Sequence, residues 1–505
     1  MLRLLRVSVY LWMFNTLWLA IGVLAILRVF RMLHLRTKLP PGPLGLPIIG
    51  NLLQISISRP WLVFDKWAKQ YGPIFYLNIA GQNVVVLGTQ EAAADLLDRR
   101  AAIYSDRPDL IVLNMLSGGM LWAFVQPDAL WKRQRRAAYE ALSPHTAKEY
   151  FIYQETESVI MLSQLLADPE NFMNHFERAS TSLMLSIVYG WPSIQSDHPI
   201  IPHIDQFNRE IFAAAAPASF LVDLKCFSWM KYLPRWMCAW RRNAENAFNR
   251  DSVMLEMLFA GAQKQMDTGD ETASVAGNLL RGTQMKSAFE AARNSATLFA
   301  AGADTTSDQL SWFIQAIVLY PEAQRLAQEE LDRIVGPYRL PTFDDYGHLP
   351  YIRACVKEVM RWRGVGPMGL PHRLREDDYY KGYFLPKDTV CYVNVWSLHH
   401  DKQVYGDDAE HFNPGRYLDA NGNLVSSVAD TKDVGHFTYG FGKRICVGRH
   451  VANNTLFIQI AFILWAFNIT PELDENGKPN LPDSSQFDRF HSVATSLRAA
   501  QTFRR

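Results

Sequence analysis

The stretch YGFGKRICVG, residues 439–448, sets a single cysteine between a glycine-rich turn and the start of a helical pattern. An iron-ligating thiolate needs a backbone that bends sharply around the sulfur. Gly440, Gly442 and Gly448 permit such bends and let the backbone approach a flat cofactor closely. Arg444 could pair with an anionic group of that cofactor. A helix beginning after Cys446 would favour the thiolate through its N-terminal partial charge. A Gly-rich turn with one cysteine is by itself more often structural, but the combination G-x-R-x-C-x-G is much rarer by chance.

Two other groups of residues invite chemistry. Gly302, Asp304 and Thr305 interrupt the middle of a long helical pattern, residues 294–335. Glycine inside a helix costs about 1 kcal/mol relative to alanine, and an acid among apolar residues is unwelcome unless solvated or paired. Such local violations tend to mark functional sites; the plain alternative is a helix kink with a satisfied polar cluster. In CVKEVMRW, residues 355–362, Glu358 and Arg361 share a helix face at i,i+3. A pair of this kind is usually solvated and worth little.

The elements that must position these groups can be read in outline. The chain from about 120 to 335 is helical in pattern, with few prolines. Residues 73–87 form two β-rich runs around Gly81-Gln82-Asn83, a predicted hairpin, and 381–395 returns to strand chemistry. The fold class is therefore mainly α with a smaller β-rich part. Residues 211–236 break the helical pattern with dense aromatics and prolines. They read either as a loop packed on the core or as a mobile lid with an apolar face towards a membrane or substrate.

At the start of the chain, Val7 to Leu27 is mostly apolar and uncharged, long enough as a helix for the ~30 Å hydrocarbon core. A cleaved signal peptide would have a shorter apolar region and small residues at its cut site. Arginines lie on both sides, so the positive-inside rule only leans towards a cytosolic body. LPPGPLGLPIIGN, residues 39–51, cannot continue a helix and reads as a stiff elbow. The expected organisation is a flank at 1–6, a transmembrane anchor at 7–27, a basic and Pro/Gly-rich linker at 28–51, and a catalytic domain at 52–505.

Bulk properties narrow the function. The 505 residues carry 51 Lys+Arg against 50 Asp+Glu, a near-neutral balance that gives no support to a nucleic-acid binder. The five cysteines, at 226, 238, 355, 391 and 446, show no CxxC and no regular spacing. Neither a disulfide framework nor a zinc site is indicated. Sequons at Asn453 and Asn468 are expected as chance matches on a cytosolic body.

Taken together these stretches resemble the cytochrome P450 family of haem-thiolate monooxygenases. The family pattern F-x-x-G-x-R-x-C-x-G falls on Tyr439, Gly442, Arg444, Cys446 and Gly448, and A/G-G-x-D/E-T-T/S falls on Ala301 to Thr306. E-x-x-R falls on Glu358 and Arg361, with Arg416 of FNPGRY as the second arginine, and W-x-x-x-R falls on Trp131 and Arg135. The resemblance covers essentially the whole chain. It departs from the pattern at Tyr439 (usually Phe), Val447 (often Pro) and Gly415 (commonly an acid). The added Tyr439 hydroxyl is expected near the sulfur, and Arg416 is expected to lose one neighbour.

The resemblance implies a cytochrome P450 fold behind one N-terminal transmembrane helix, and haem b with Cys446 as axial thiolate. It implies Asp304 and Thr305 as a proton relay for splitting dioxygen, and Gly302 as room for dioxygen. Trp131, Arg135, His372 and Arg444 would face the propionates, and Glu358, Arg361 and Arg416 would form a structural network. NADPH and flavins would act only through a separate NADPH-cytochrome reductase, with cytochrome b5 as a further donor. Lys132, Arg133, Arg136, Lys443 and Arg449 would give a cationic docking patch or ordinary solvated charges. The resemblance is strongest to fungal secondary-metabolism members, whose substrates are terpenoid, polyketide or aromatic, with xenobiotic oxidation as the other expected role. The expected setting is the endoplasmic reticulum membrane, with a bulky apolar substrate held by 104–122, 211–236, Leu298–Ala303 and Val365–Leu370. Phe220, Phe299 and Met368 are expected as prominent wall residues. Two other classes stay open: a haem-thiolate isomerase or dehydratase that needs no reductase, and a non-catalytic haem sensor.

Overall fold

The computed structural model describes residues 37–482 apart from 57, 270–273, 283–284 and 426–427, together with Thr16, Leu19 and the strand at 499–503. The expected anchor, 7–27, lies outside the described residues apart from Thr16 and Leu19. Among the described residues no helix is long and apolar enough to cross a membrane.

The helices that matter below are α1 (Pro60–Tyr71), α2 (Ile111–Leu116), α3 (Ala129–Ala141), α4 (Phe151–Ala167), α5 (Phe172–Tyr189), α6 (Ile200–Ala215), α7 (Ala239–Asp267), α8 (Ala288–Leu319), α9 (Pro321–Ile334), α10 (Pro350–Trp362) and α11 (Arg449–Ala466). The strands are β1 (Ile74–Ile79), β2 (Gln82–Leu87), β3 (His372–Arg373), β4 (Asp378–Tyr380), β5 (Tyr383–Leu385), β6 (Val390–Val393), β7 (Phe467–Pro471) and β8 (Ala499–Phe503). The main sheet runs β1-β2-β6-β3, with β2 and β6 parallel and the other pairs antiparallel.

The 32-residue helix α8, about 48 Å long, spans the molecule. Ser287 caps it by accepting from the Glu290 N–H, and Pro321 follows its last turn. Its helical hydrogen bonding runs unbroken through Gly302 to Thr306. Glycine permits close packing there. A Cβ at Gly302 would lie 2.6 Å from the Met184 sulfur and terminal methyl on α5. Gly302, Ala301 and Met184 all line one cavity.

The hairpin forms one residue earlier than predicted. Gln82 and Asn83 are already paired, with Ile79 and Asn78, so Ala80 and Gly81 make the turn, both at positive φ. That two-residue geometry suits the twist of the flanking strands. The proline elbow is tied down rather than free. Tyr76 N–H donates to Pro41 O at 2.8 Å, and Asn51 N–H donates to Asn78 O at 2.6 Å. Gly42 permits that approach, since a Cβ there would meet Tyr76 O at 2.0 Å.

Candidate functional site

Cys446, Thr305 and a set of arginines reach one cavity of about 330 Å³. The loop before α11 delivers the cysteine. Gly442 sits at φ +55, and a Cβ there would meet Leu97 O at 2.1 Å, so this turn admits only glycine. Cys446 N–H donates to Tyr439 O at 2.8 Å, which closes the loop under the sulfur. The residue is exposed only towards the cavity it lines. Burial by the surrounding protein raises its thiol above the ordinary range, opposed by the Gly448 and Arg449 N–H groups and the charge of Arg135. The helix N-terminus therefore acts in the expected direction without outweighing burial. A coordinating metal would remove the proton outright.

Three guanidinium groups face the same cavity, and among the described residues no carboxylate lines it. Arg444 donates to Ser105 O (2.9 Å) and Val125 O (2.7 Å) and lies over the Trp131 ring at 4.4 Å. Arg135 donates to Ile445 O and lies over Trp122 at 5.7 Å. Arg107 donates to Ala123 O at 2.9 Å and to Leu370 O and Pro371 O at 3.0 and 2.6 Å. Burial, reinforced by mutual repulsion, lowers Arg444 to about 9 and Arg107 well below the usual range. Burial also lowers Arg135 to about 10, where Arg449 is the repelling neighbour. Buried cations held only by carbonyls call for an anionic partner. The indole N–H groups of Trp122, which lines the cavity, and Trp131, which lies behind Arg444 and outside that lining, are likewise buried without a protein acceptor. This donor set fits a flat cofactor that bears two carboxylates and is ligated by Cys446. Among the described residues no group of three or more His, Cys, Asp or Glu side chains is arranged to hold a metal ion. Iron there would depend on a cofactor for its remaining ligands.

Arg107 is the functional residue missed by sequence reasoning. Its setting, SDRPDL, reads as a polar loop with an acid on each side. His372 also lines the cavity, but its Nδ1–H donates to Tyr104 O at 2.7 Å, and burial keeps the ring neutral. Nε2 is then an acceptor, and it becomes a donor to a carboxylate only on taking up a proton.

Asp304 and Thr305 are not brought to the same space. Neighbours on a helix point about 100° apart. Thr305 lines the main cavity and donates to Ala301 O at 3.0 Å. Asp304 faces a separate small cleft between α5, α6 and α8, shared with Glu177, Thr181 and Asp205. The two residues implied as one relay thus line different cavities. In that cleft burial pushes the Glu177 carboxyl up to about 7, helped by the charges of Asp205 and Asp308. Folding then binds a proton at pH values where the unfolded chain has released it, so stability falls as pH rises from the carboxylate range to about 7. Glu177→Gln should flatten this dependence in thermal melts between pH 5 and 8. At pH 8 it should stabilise by about 1–2 kcal/mol, less than full linkage because the carboxyl is only half-buried.

Several expected wall residues point elsewhere. Phe299 is fully buried edge-on against Tyr189 at 5.7 Å, Met368 is core, and Phe220 packs on an apolar cluster. From those segments Phe212, Leu298, Ala301, Val365 and Leu370 line the cavity instead. The Tyr439 hydroxyl finds its partner on α11. It donates to Asn453 at 2.6 Å, which engages that sequon residue inside α11.

Glu358 and Arg361 are 0% exposed and pair bidentately at 2.8 Å. Arg416 joins them at 3.1 Å, and Arg361 also donates to the carbonyls of His399, Ala409 and His411. The acid missing at Gly415 is replaced by Asp408, 3.0 Å from Arg416. Among the proposed docking charges, Arg133 is paired with Glu290 at 2.6 Å and Arg136 with Glu140 at 3.0 Å. Lys132 and Lys443 are exposed. All five cysteines are free, and burial raises the Cys355 and Cys391 thiols, as expected of inert core residues.

Comparison with known proteins places this geometry. The cytochrome P450 family model matches residues 40–489. A cytochrome P450 monooxygenase of Armillaria gallica is 47% identical over 88% of this chain and 85% of its own length. Cytochrome P450 monooxygenase 58 of Postia placenta is 43% identical, over 89% and 85%. Cytochrome P450 monooxygenase iboC of Amanita muscaria is 38% identical, over 90% and 88%.

Proposed function

The chain belongs to the cytochrome P450 family, and on that premise we propose that it is a haem-thiolate monooxygenase that hydroxylates or epoxidises a bulky apolar substrate in fungal secondary metabolism. The observation that carries this reading is the single cavity shared by Cys446, Thr305 and three buried, carboxylate-free guanidinium groups. Haem b, when bound, supplies dioxygen binding and O–O cleavage. Cys446 would ligate its iron, and Arg107, Arg135, Arg444 and Trp131 would hold its propionates.

The protein's own part is positioning, dryness and protons. Leu298, Phe212, Val365 and Leu370 exclude water from the reacting face. Thr305 spends its proton on Ala301 O, which leaves its oxygen free to accept a hydrogen bond from the cavity side. Asp304 takes protons from the α5–α6 side and turns towards Thr305 to deliver them. The presence of this alcohol in the cavity favours a monooxygenase over a reductase-independent isomerase.

Electrons would come from an NADPH-cytochrome reductase, with cytochrome b5 as a second donor, docking over Lys132 and Lys443. The body would sit on the endoplasmic reticulum membrane behind the 7–27 anchor. Leu44 and Ile48 of the elbow are 77% and 76% exposed, and Tyr232 and Trp236 are 80% and 76% exposed. The Cys226 Sγ to Ile48 O contact at 3.8 Å brings the two segments together at that point.

The test is turnover of apolar terpenoid and aromatic candidates by the full-length enzyme with reductase and NADPH under ¹⁸O₂. One labelled oxygen in the product supports the reading; NADPH-independent product without label contradicts it. In the same assay Asp304→Asn should cut turnover about 10²-fold. Thr305→Ala should keep consuming NADPH while diverting it to hydrogen peroxide.

A further inference from the structure

Among the described residues two methionines line the cavity, Met184 on α5 and Met360 on α10. They stand at different levels of α8. Met184 packs its sulfur and terminal methyl on Gly302, three residues before Thr305 and on the same helix face. Met360 stands a turn further along, where Gln309 donates to the carbonyl of its neighbour Val359 at 2.9 Å. Met184 is buried in the apolar cluster that also holds Leu298 and Phe299. Its thioether therefore meets what forms in the cavity rather than what is dissolved outside. A thioether is soft and polarizable, and it takes up oxygen readily. Cys446, the other soft group at this level, is committed to the iron in the holoenzyme. The contact with α8 leaves no space on that side, since even a Cβ at Gly302 would collide with the sulfur. An oxygen added to Met184 has to project into the cavity.

We propose that Met184 is an oxidation site: hydrogen peroxide released in the cavity by unproductive turnover converts its thioether to the sulfoxide and spoils the cavity for apolar ligands. The source of the peroxide rests on the function proposed above; the placement of the sulfur rests on the contacts alone. A sulfur lone pair forms a bond to one peroxide oxygen and the O–O bond breaks. The other oxygen leaves with both protons as water, so sulfur loses two electrons and peroxide gains two. The product sets a strong hydrogen-bond acceptor in an apolar wall. Thr305 and Met184 thus act on the same branch. The hydroxyl limits how much peroxide forms, and the thioether takes what escapes that control.

The experiment incubates full-length holoenzyme with reductase and NADPH, without substrate and with catalase in the bulk solution. Peptide mass mapping then reports the gain of one oxygen at each methionine. Met184 should be oxidised at least tenfold faster than Met360, and tenfold faster than Met237 and Met257, which are 53% and 58% exposed. Thr305→Ala should quicken oxidation of Met184 at least threefold. After oxidation the remaining haem of the parent should bind 1-phenylimidazole at least fivefold more weakly. M184L, a change that nearly conserves volume, should keep its affinity through the same treatment. Oxidation of Met360, Met237 or Met257 ahead of Met184, or an equal loss of affinity in M184L, overturns the proposal. If M184L does not fold, the peptide map of the parent decides. If the parent forms no peroxide with reductase and NADPH, the monooxygenase reading fails. Hydrogen peroxide added to the full-length protein then judges the site: Met184 should gain oxygen at least tenfold faster than the fully buried Met161, and equal rates overturn it.

Discussion

Cys446→Ser leaves a folded protein with no reductase-driven monooxygenase activity. The loop geometry does not depend on the sulfur. Cys446 N–H bonds the Tyr439 carbonyl, and the tight approach is made by Gly442 against Leu97 O. The thermal melt of haem-free protein should therefore move little. What disappears is the thiolate and the electron density it would give to a haem iron. Substrate oxidation should fall below detection, and the thiolate-type spectrum should be lost even if the porphyrin still binds to Arg107, Arg135 and Arg444. Retained turnover in C446S would remove the cysteine from the mechanism.

Glu358→Ala should be the most destabilising single change outside the apolar core. The carboxylate is fully buried and accepts from Arg361, Arg416 and the Asn413 N–H. Removing it leaves the buried Arg361 guanidinium without a carboxylate, while Arg416 keeps Asp408, and costs about 3–5 kcal/mol. Denaturant titration should show that loss, with poor recovery of holoenzyme. Replacing Glu358 and Arg361 together by methionine and leucine should cost less, because no buried charge is left alone. The exposed Glu322–Arg325 pair has the same i,i+3 spacing, and breaking it should cost under about 1 kcal/mol. If Glu358→Ala proved as mild as that surface change, the network would not hold the loop at 408–416 to α10.

Those two pairs show what was legible in the sequence. Spacing alone puts Glu358 and Arg361 on one face, and it does the same for Glu322 and Arg325. Only tertiary burial separates a structural network from a solvated pair. The family resemblance, not the spacing, carried that distinction. Local chemistry was readable where it acts locally: the helical pattern at 294–335, which the structure divides into α8 and α9 at Pro321, the hairpin within one residue, and the glycine turn at Gly442. Contacts across long sequence separations were not. Arg107 meets Arg444 only through the packed loops around the cavity, and Asp408 replaces the acid absent at Gly415 from seven residues upstream. Side-chain direction was also hidden. Hydrophobic character suggested Phe299 and Met368 as walls, but both point into the core, and Asp304 looks away from Thr305. Residues 211–236 looked loose because their pattern is irregular. The bonds that fasten them, from Asp223 to Ile111 and from Cys226 to Ala80, join segments more than a hundred residues apart.

The most direct test is the absorption spectrum of the purified, dithionite-reduced protein under carbon monoxide. Ligation by Cys446 predicts the strongly red-shifted Soret band of a thiolate–iron–carbonyl complex, absent in C446S. A band at the position of imidazole-ligated haem, or no haem spectrum at all in protein expressed with haem supplied, would contradict the account.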